Sequence, residues 1–263
     1  MSKIPVEIHS EPNLLLIAKH AAGIVQKHVS TNARGDFEIN CPHINGSSQS
    51  VIRLGEVPLG KALTAPYVLK LERTHADGAP IAKGYAGVPL GVNQEMNYLY
   101  FRHLGLPVVP HFMVGSLHPD GLYGVITPDL TASGEEVHEA DGYNFSKISN
   151  GIELKKELAK HVKILEEQDR LGLVKPKSHI DKNDAAKPYV RTFYVLHDKA
   201  TNSGRLVMGD LNHVVVNLSK IPPATKNKNA IQAIDSHGDD LTSAGLAGVR
   251  LFERITPAAK WHK

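Results

Sequence analysis

Asp210 is the residue of this sequence best placed for acid–base chemistry. It follows an apolar run at 206–208 and Gly209, and a second apolar run begins at Val214. A carboxylate between two predicted strands projects at the end of a sheet, where backbone on both sides holds it in place, and such a position suits a catalytic base. The alternative interpretation is an acid in a β-turn, where glycine and aspartate are common for conformational reasons.

A lysine and a glutamate far upstream form a second candidate pair. Lys70 lies in the alternating segment 67–72, which predicts a strand, and Glu95 lies in the segment 92–104, which predicts a helix. Glu95 is the only carboxylate within residues 78–119, so a lysine that needs an acidic partner there has one candidate. The alternatives are a surface lysine on an ordinary hairpin and a solvent-facing helix glutamate.

Length and composition indicate a soluble α+β protein rather than a nucleic-acid or membrane protein. The 263 residues are 41% apolar and carry a formal charge of +3, without a basic run that would favour nucleic acid. Cys41 is the only cysteine, no stretch reaches 18 apolar residues, and the first ten residues lack the apolar core of a signal peptide. We expect a cytoplasmic protein, or one secreted into a host cell without a classical signal peptide.

The first half of the chain is predicted to be mostly β-structure with an N-terminal helix. Residues 12–29 place four apolar side chains on one stripe, which predicts an amphipathic helix; these are Leu14, Ile17, Ala21 and Ile24. Short strands are predicted between segments rich in turn-forming residues, at 36–40, 51–54, 67–72, 110–115 and 122–127.

The second half is predicted to combine helices with a β-rich insert. Residues 150–171 predict a helix with a capping box at Asn150 and Glu153, an end at Gly172, and an apolar stripe of Leu154, Leu158, Val162 and Leu165. A hairpin is predicted from 192–196 and 205–209, and a further helix at 241–255. The acids Glu135, Glu136, Glu139 and Asp141 are predicted in a solvated polar loop, and the spacing of the 15 histidines predicts no structural metal site.

The order of these motifs resembles the protein-kinase-like superfamily, in particular small bacterial effector kinases and aminoglycoside-phosphotransferase-like kinases. Gly55 and Gly60 have the spacing of two glycines of its glycine-rich loop, Lys70 lies on the strand that follows, and the segment with Glu95 resembles its regulatory helix. The resemblance implies that Glu95 holds the Lys70 ammonium against the phosphates of ATP. It further implies a hinge that binds adenine, at Thr127, Asp129 and Leu130.

Two alignments of the catalytic segment are open under this resemblance. In the first, Asp210 is the catalytic acid, and Asp235, with Asn212 or Asn217, holds Mg²⁺. Met208 then replaces the usual histidine, and Val215 stands where the family has its asparagine. In the second, residues 179–183 form the catalytic loop with Asp181 as the base, and Asp210 is the metal-binding acid. The first also explains the Asp235 segment, and we favour it on the sequence alone.

The resemblance therefore implies a two-lobed fold, with a β-rich lobe at 1–130 and a reduced, mostly helical lobe at 131–263. The implied function is that of a minimal ATP- and magnesium-dependent phosphotransferase acting on a hydroxyl of a protein. A pseudokinase that keeps the fold without turnover is an alternative, since the asparagine is missing. A non-catalytic interaction protein is the third. The sequence predicts neither nucleic acid nor membrane as a partner.

Overall fold

The computed structural model describes residues 11–33, 37–45, 49–58, 64–72, 90–114, 124–176, 189–211 and 214–216. The fold is a mixture of α-helices and antiparallel sheets. The N-terminal elements are helix α1 (Glu11–His28), strands β1 (Val29–Thr31), β2 (Phe37–Ile39), β3 (His43–Asn45), β4 (Gln49–Pro58) and β5 (Thr64–Glu72), helix α2 (Leu90–His103), and strands β6 (Phe112–Val114) and β7 (Gly124–Pro128).

Five of these strands form one antiparallel sheet in the order β3-β4-β5-β7-β6, while β1 and β2 pair with each other. Helix α1 covers one face of the sheet, because its apolar stripe packs on alternating residues of β4, β5 and β7. The buried side chains of this core include Ile17, Ala21, Val25, Ile52, Leu54, Tyr67, Leu69 and Ile126. The predicted N-terminal helix and strands are confirmed, although β4 is much longer than predicted.

Gly55 lies inside β4 rather than in a loop. The pairing of β4 with β5 shifts between Arg53 and Gly55, and the φ of +70° at Gly55 fits a β-bulge that only glycine adopts readily. The glycine-rich loop expected at Gly55 and Gly60 stays a prediction, with Gly55 paired in β4 just before residues 59–63. Gly60 falls in residues 59–63, outside the described residues.

The following elements build a second core. They are β8 (Glu136–Glu139), α3 (Gly151–Arg170), β9 (Val174–Pro176), β10 (Phe193–Asp198), β11 (Ser203–Met208) and β12 (Val214–Val216). Strands β11, β10 and β8 form an antiparallel sheet, and β12 pairs with β9. Helix α3 packs on one face of the three-stranded sheet through Leu154 and Leu158, as its predicted stripe requires.

The second half differs from prediction in three respects. In the described part of 131–263, α3 is the one long helix and is accompanied by five strands, so the expectation of a mostly helical half is wrong there. The predicted acidic loop contains strand β8, whose Val137 packs inward. Asn150 does not form the predicted capping box; its amide exchanges two hydrogen bonds with the backbone of Gly204, at 2.7 and 2.8 Å. The tail at 241–255 lies outside the described residues.

Candidate active site

Lys70 lies on the face of the five-stranded sheet opposite α1. Successive side chains of a strand point to opposite faces, and Leu69 and Leu71 both contribute to the core beneath α1. Lys70 therefore projects to the other face, beside its cross-strand partners Val51 on β4 and Val125 on β7. The central strand of the sheet, β5, thus places the Lys70 ammonium on the face that α1 does not cover.

His111 is the direct neighbour of the Lys70 ammonium. Its Nδ1 lies 2.8 Å from the carbonyl oxygen of Val109 and must carry the proton, so Nε2 is an acceptor 3.4 Å from Nζ of Lys70. Complete burial, together with the Lys70 charge, lowers the pKa of His111 to about 3. His111 is therefore neutral and accepts a hydrogen bond from the lysine.

Asp210 brings the opposing charge to this lysine from the other half of the chain. Burial lowers the pKa of Lys70, while the nearby carboxylate of Asp210 raises it. The backbone N–H groups of Gly209 and Asp210 both point to the carbonyl of Thr192, at 3.0 and 3.4 Å, which holds the acid at the end of β11. As predicted, Asp210 lies just after the end of a strand, separated from Met208 by Gly209 alone.

The end of β11 is fixed to the segment that carries His111. Met208 forms a parallel bridge with Val108, its N–H donates to the Pro107 carbonyl at 2.8 Å, and its carbonyl accepts from the Val109 N–H at 2.9 Å. Two backbone hydrogen bonds therefore connect the segment before His111 with the strand before Asp210. This connection explains how both residues reach the same lysine.

Gly209 allows a close approach of Tyr194 beneath Asp210. A Cβ atom at Gly209 would lie 2.9 Å from Cδ2 and 3.1 Å from Cε2 of Tyr194, which is too close without a shift of the ring. Burial raises the pKa of the Tyr194 hydroxyl, and the charges of Asp210 and Glu139 raise it further. The tyrosine is thus a neutral, packed neighbour of the acid.

Helix α2 ties the sheet to the loop that follows Asp210. The buried amides of Gln94 and Gln49 exchange two hydrogen bonds, at 3.1 and 3.3 Å, which fix α2 to β4. One turn further, the buried Asn97 amide donates to the carbonyl oxygens of Leu211 and Val214, at 2.9 and 2.7 Å. The helix therefore holds the backbone immediately after Asp210 in a fixed position relative to the lysine sheet.

The three predicted hinge residues lie at and beyond the end of β7, and their polar groups have partners within the chain. Thr127 is buried opposite Val68 in the sheet. The Asp129 N–H donates to the Pro66 carbonyl at 2.9 Å, and the Leu130 carbonyl accepts from the Ser133 hydroxyl at 2.7 Å.

The carboxylate of Asp129 forms an ion pair with Arg53 and accepts hydrogen bonds from Thr131. Nε of Arg53 lies 3.2 Å from Oδ2, and the N–H and hydroxyl of Thr131 donate to Oδ1 at 3.0 and 2.6 Å. Asp129 thereby caps a short 3-10 helix, Leu130–Ala132. The Asp129 carboxylate therefore stabilises the turn after β7, which is a structural role within the predicted hinge.

Glu95 is buried on α2. Burial raises the pKa of the nearby Tyr98 hydroxyl, and the charge of Glu95 adds a smaller increase. The expected Lys70–Glu95 ion pair stays a prediction. The remaining predicted site residues lie outside the described residues: Gly60, Asp181, Asn212, Asn217 and Asp235. The structure thus brings together Lys70 and Asp210 and adds two residues that the sequence reasoning missed, His111 and Asn97. A histidine inside the apolar run 108–114 is the signal that indicates the first of these.

The sequence matches no protein-family model, and no curated protein matches it. Among the described residues, no helix combines the length and the apolar character that crossing a membrane requires.

Proposed function

We propose that the chain is a two-lobed, protein-kinase-like phosphotransferase that transfers the γ-phosphate of ATP to a hydroxyl group of a protein. The five-stranded sheet with α1 and α2 corresponds to the first lobe, and the core around α3 to the second. The observation that carries the proposal is the contact of Lys70 with His111, whose segment is hydrogen-bonded to the strand end before Asp210. The charge of Asp210 acts on Lys70 across this connection.

The order of the elements supports this proposal. Lys70 lies on the third strand of the sheet in chain order, and α2, with the buried Glu95, is inserted before the fourth. Protein kinases likewise carry their phosphate-binding lysine on the third strand and its glutamate on the helix that follows.

The surroundings of Asp210 favour the second alignment, in which Asp210 is the metal-binding acid and Asp181 the base. Asp210 follows the antiparallel hairpin of β10 and β11, as that alignment requires. Val214 pairs with Pro176, so the chain enters residues 177–188 beside the loop that follows Asp210.

Asp210 and Lys70 have the chemistry that ATP and Mg²⁺ need. Mg²⁺ prefers hard oxygen ligands such as the carboxylate of Asp210, and an ammonium group such as that of Lys70 binds phosphate oxygens. When bound, Mg²⁺ would neutralise charge on the phosphates during transfer. The chain would supply an acid for the metal ion and a cation for the phosphates, and α2 would fix the position of one relative to the other.

The proposal is tested by phosphate transfer from γ-labelled ATP in the presence of Mg²⁺. We expect Lys70→Met and Asp210→Asn each to lower transfer by about a hundredfold or more, since the first removes the cation that binds the phosphates and the second removes the charged ligand of Mg²⁺. Lys19→Met and Asp141→Asn are matched controls. Lys19 is exposed on α1, and Asp141 pairs with Arg191 at 3.4 Å, so both variants should keep full transfer. Undiminished transfer by Asp210→Asn would refute the proposed role.

A nucleotide-binding pseudokinase is the second candidate, and the environment of Lys70 favours it. Burial lowers the pKa of Lys70, and its ammonium already donates to His111. Both effects weaken its hold on phosphate. In this case ATP with Mg²⁺ should raise the melting temperature of the wild type but not of Lys70→Met, while no transfer is detected. Ligand at a hundred times its dissociation constant stabilises by about 2.7 kcal/mol. No melting shift in the wild type would exclude both candidates and leave an interaction protein.

A further inference from the structure

Glu136, His138 and His197 form a cluster on the three-stranded sheet, away from Lys70 and Asp210. Strands β8 and β10 pair so that His197 lies directly opposite Glu136, and His138 lies two residues further along β8. Residues directly opposite each other, and residues two apart on one strand, share a face of a sheet. The strand register therefore places two imidazoles and one carboxylate on one surface.

The three side chains converge on one point. Oε2 of Glu136 lies 3.6 Å from Nε2 of His138 and 3.5 Å from Nδ1 of His197, and the three ligand atoms all lie within 4.8 Å of one another. Tetrahedral Zn²⁺ with bonds of about 2.1 Å holds its ligand atoms about 3.4 Å apart. Two of the three separations already match this value.

The partners of these side chains orient them for metal binding. Oδ1 of Asn202 lies 3.2 Å from Nε2 of His197 and accepts a hydrogen bond from its N–H group, so the lone pair of Nδ1 is directed at Glu136. Metal-binding histidines are commonly oriented in this way by an acceptor on the second ring nitrogen. The ring of His138 lies against Tyr143, with centroids 5.2 Å apart, and this contact limits its rotation.

Glu136 keeps one oxygen available for a cation. Lys199 approaches Oε1 at 2.6 Å and leaves Oε2 to the two imidazoles; this contact is the main reason that the pKa of Glu136 is lowered. The cluster is accessible, because the side chains of Glu136 and His138 are 42% and 40% exposed. A divalent ion can therefore reach it from solvent.

We propose that Glu136, His138 and His197 bind a Zn²⁺ ion that cross-links β8 and β10 and leaves a coordination position for water. Two imidazoles and one carboxylate favour zinc and related transition metals over Mg²⁺, which prefers oxygen ligands. This site is separate from the proposed phosphotransfer site: Tyr194, next to Asp210, and His197 are three residues apart on β10 and so lie on opposite faces of the sheet.

Calorimetric titration of the untagged full chain with Zn²⁺, in buffer containing Mg²⁺, tests the proposal. We expect one equivalent to bind, and His138→Ala and His197→Ala each to weaken binding at least tenfold. His43→Ala is the matched control, because His43 also lies on an exposed strand, and the variant should bind as the wild type does. Lys199→Gln should bind more tightly, since it removes a cation beside the metal. Circular dichroism of each variant verifies that the fold is kept.

Co²⁺ absorption provides an independent readout, because tetrahedral and octahedral coordination differ in intensity. Absence of one-to-one binding in the wild type would overturn the proposal. The proposal would also be overturned if His138→Ala and His197→Ala bound Zn²⁺ as tightly as the wild type, since the ion would then occupy other histidines.

Discussion

The two candidate sites lie in different parts of the molecule and are built in different ways. The Lys70–Asp210 site joins the two halves of the chain, and α2 and the bridge at Met208 hold it together. The cluster at Glu136 needs only the register of two paired strands and one turn. The first site should therefore depend on the packing of the whole molecule, while the second should tolerate changes elsewhere.

Removing the Asn97 amide gives the largest expected difference between the two sites. In Asn97→Leu the carbonyl oxygens of Leu211 and Val214 lose their buried donor, and we expect the free energy of unfolding to fall by about 2–4 kcal/mol. The ATP-dependent melting shift should also fall, because the backbone after Asp210 is no longer held by α2. Chemical denaturation and thermal shift measure the two effects.

Asn40→Leu is the matched control for this variant. The Asn40 amide makes an exposed hydrogen bond to the Ser30 hydroxyl at 3.1 Å, and its loss should change stability by less than about 0.5 kcal/mol. Zinc affinity should be the same in Asn97→Leu and the wild type. If Asn97→Leu weakened zinc binding as strongly as ATP binding, the two sites would not be independent.

The low pKa of His111 predicts that the free energy of unfolding depends on pH, and this contribution comes from the Lys70–Asp210 site and not from the Glu136 cluster. Its pKa is about 3 in the folded protein against an ordinary value of 6.5, so between these values the unfolded state binds more protons. The stabilisation is present above pH 6.5 and is lost as the pH falls toward 3, by up to about 1.4 kcal/mol per pH unit. Denaturation of wild type and His111→Asn across this range should show the wild type with the steeper decline.

The control for His111 is again His43, which is exposed and bonded to the Cys41 carbonyl. His43→Asn should keep the steep decline of the wild type. Parallel curves for wild type and His111→Asn would mean that His111 is not a buried neutral group.

The strands that carry Lys70 and precede Asp210 were predicted from the sequence, whereas strand β8 of the Glu136 cluster was not, for a physical reason. The strand of Lys70 and the junction at Asp210 follow from local alternation of apolar residues and from glycine, which are properties of short segments. Strand β8 has a single apolar residue, Val137, so it shows no alternation of apolar and polar residues. The acidic residues around Val137 are instead typical of a solvated loop.

Cross-strand register cannot be derived from composition or spacing. The pairing of His197 with Glu136 depends on hydrogen bonds between strands that are far apart in the chain. The hydrogen bonds of Asn97 to the Leu211 and Val214 carbonyls likewise depend on tertiary packing, because they join a helix to a segment more than a hundred residues later. Charged residues that could form a site are therefore visible in the sequence, but the partners that orient them are not.

Asn202 offers the finest test of the exposed cluster. It adopts a positive φ of 48° in the turn between β10 and β11, a conformation that Asn and Gly tolerate, and from there its amide oxygen reaches His197. Asn202→Gly keeps the turn but removes the acceptor, so we expect zinc affinity to fall about tenfold. Asn202→Asp restores an acceptor and adds a negative charge, so binding should be at least as tight as in the wild type. Titration of both variants decides the point, because equal affinity in Asn202→Gly and the wild type would show that the orientation of His197 does not depend on this residue.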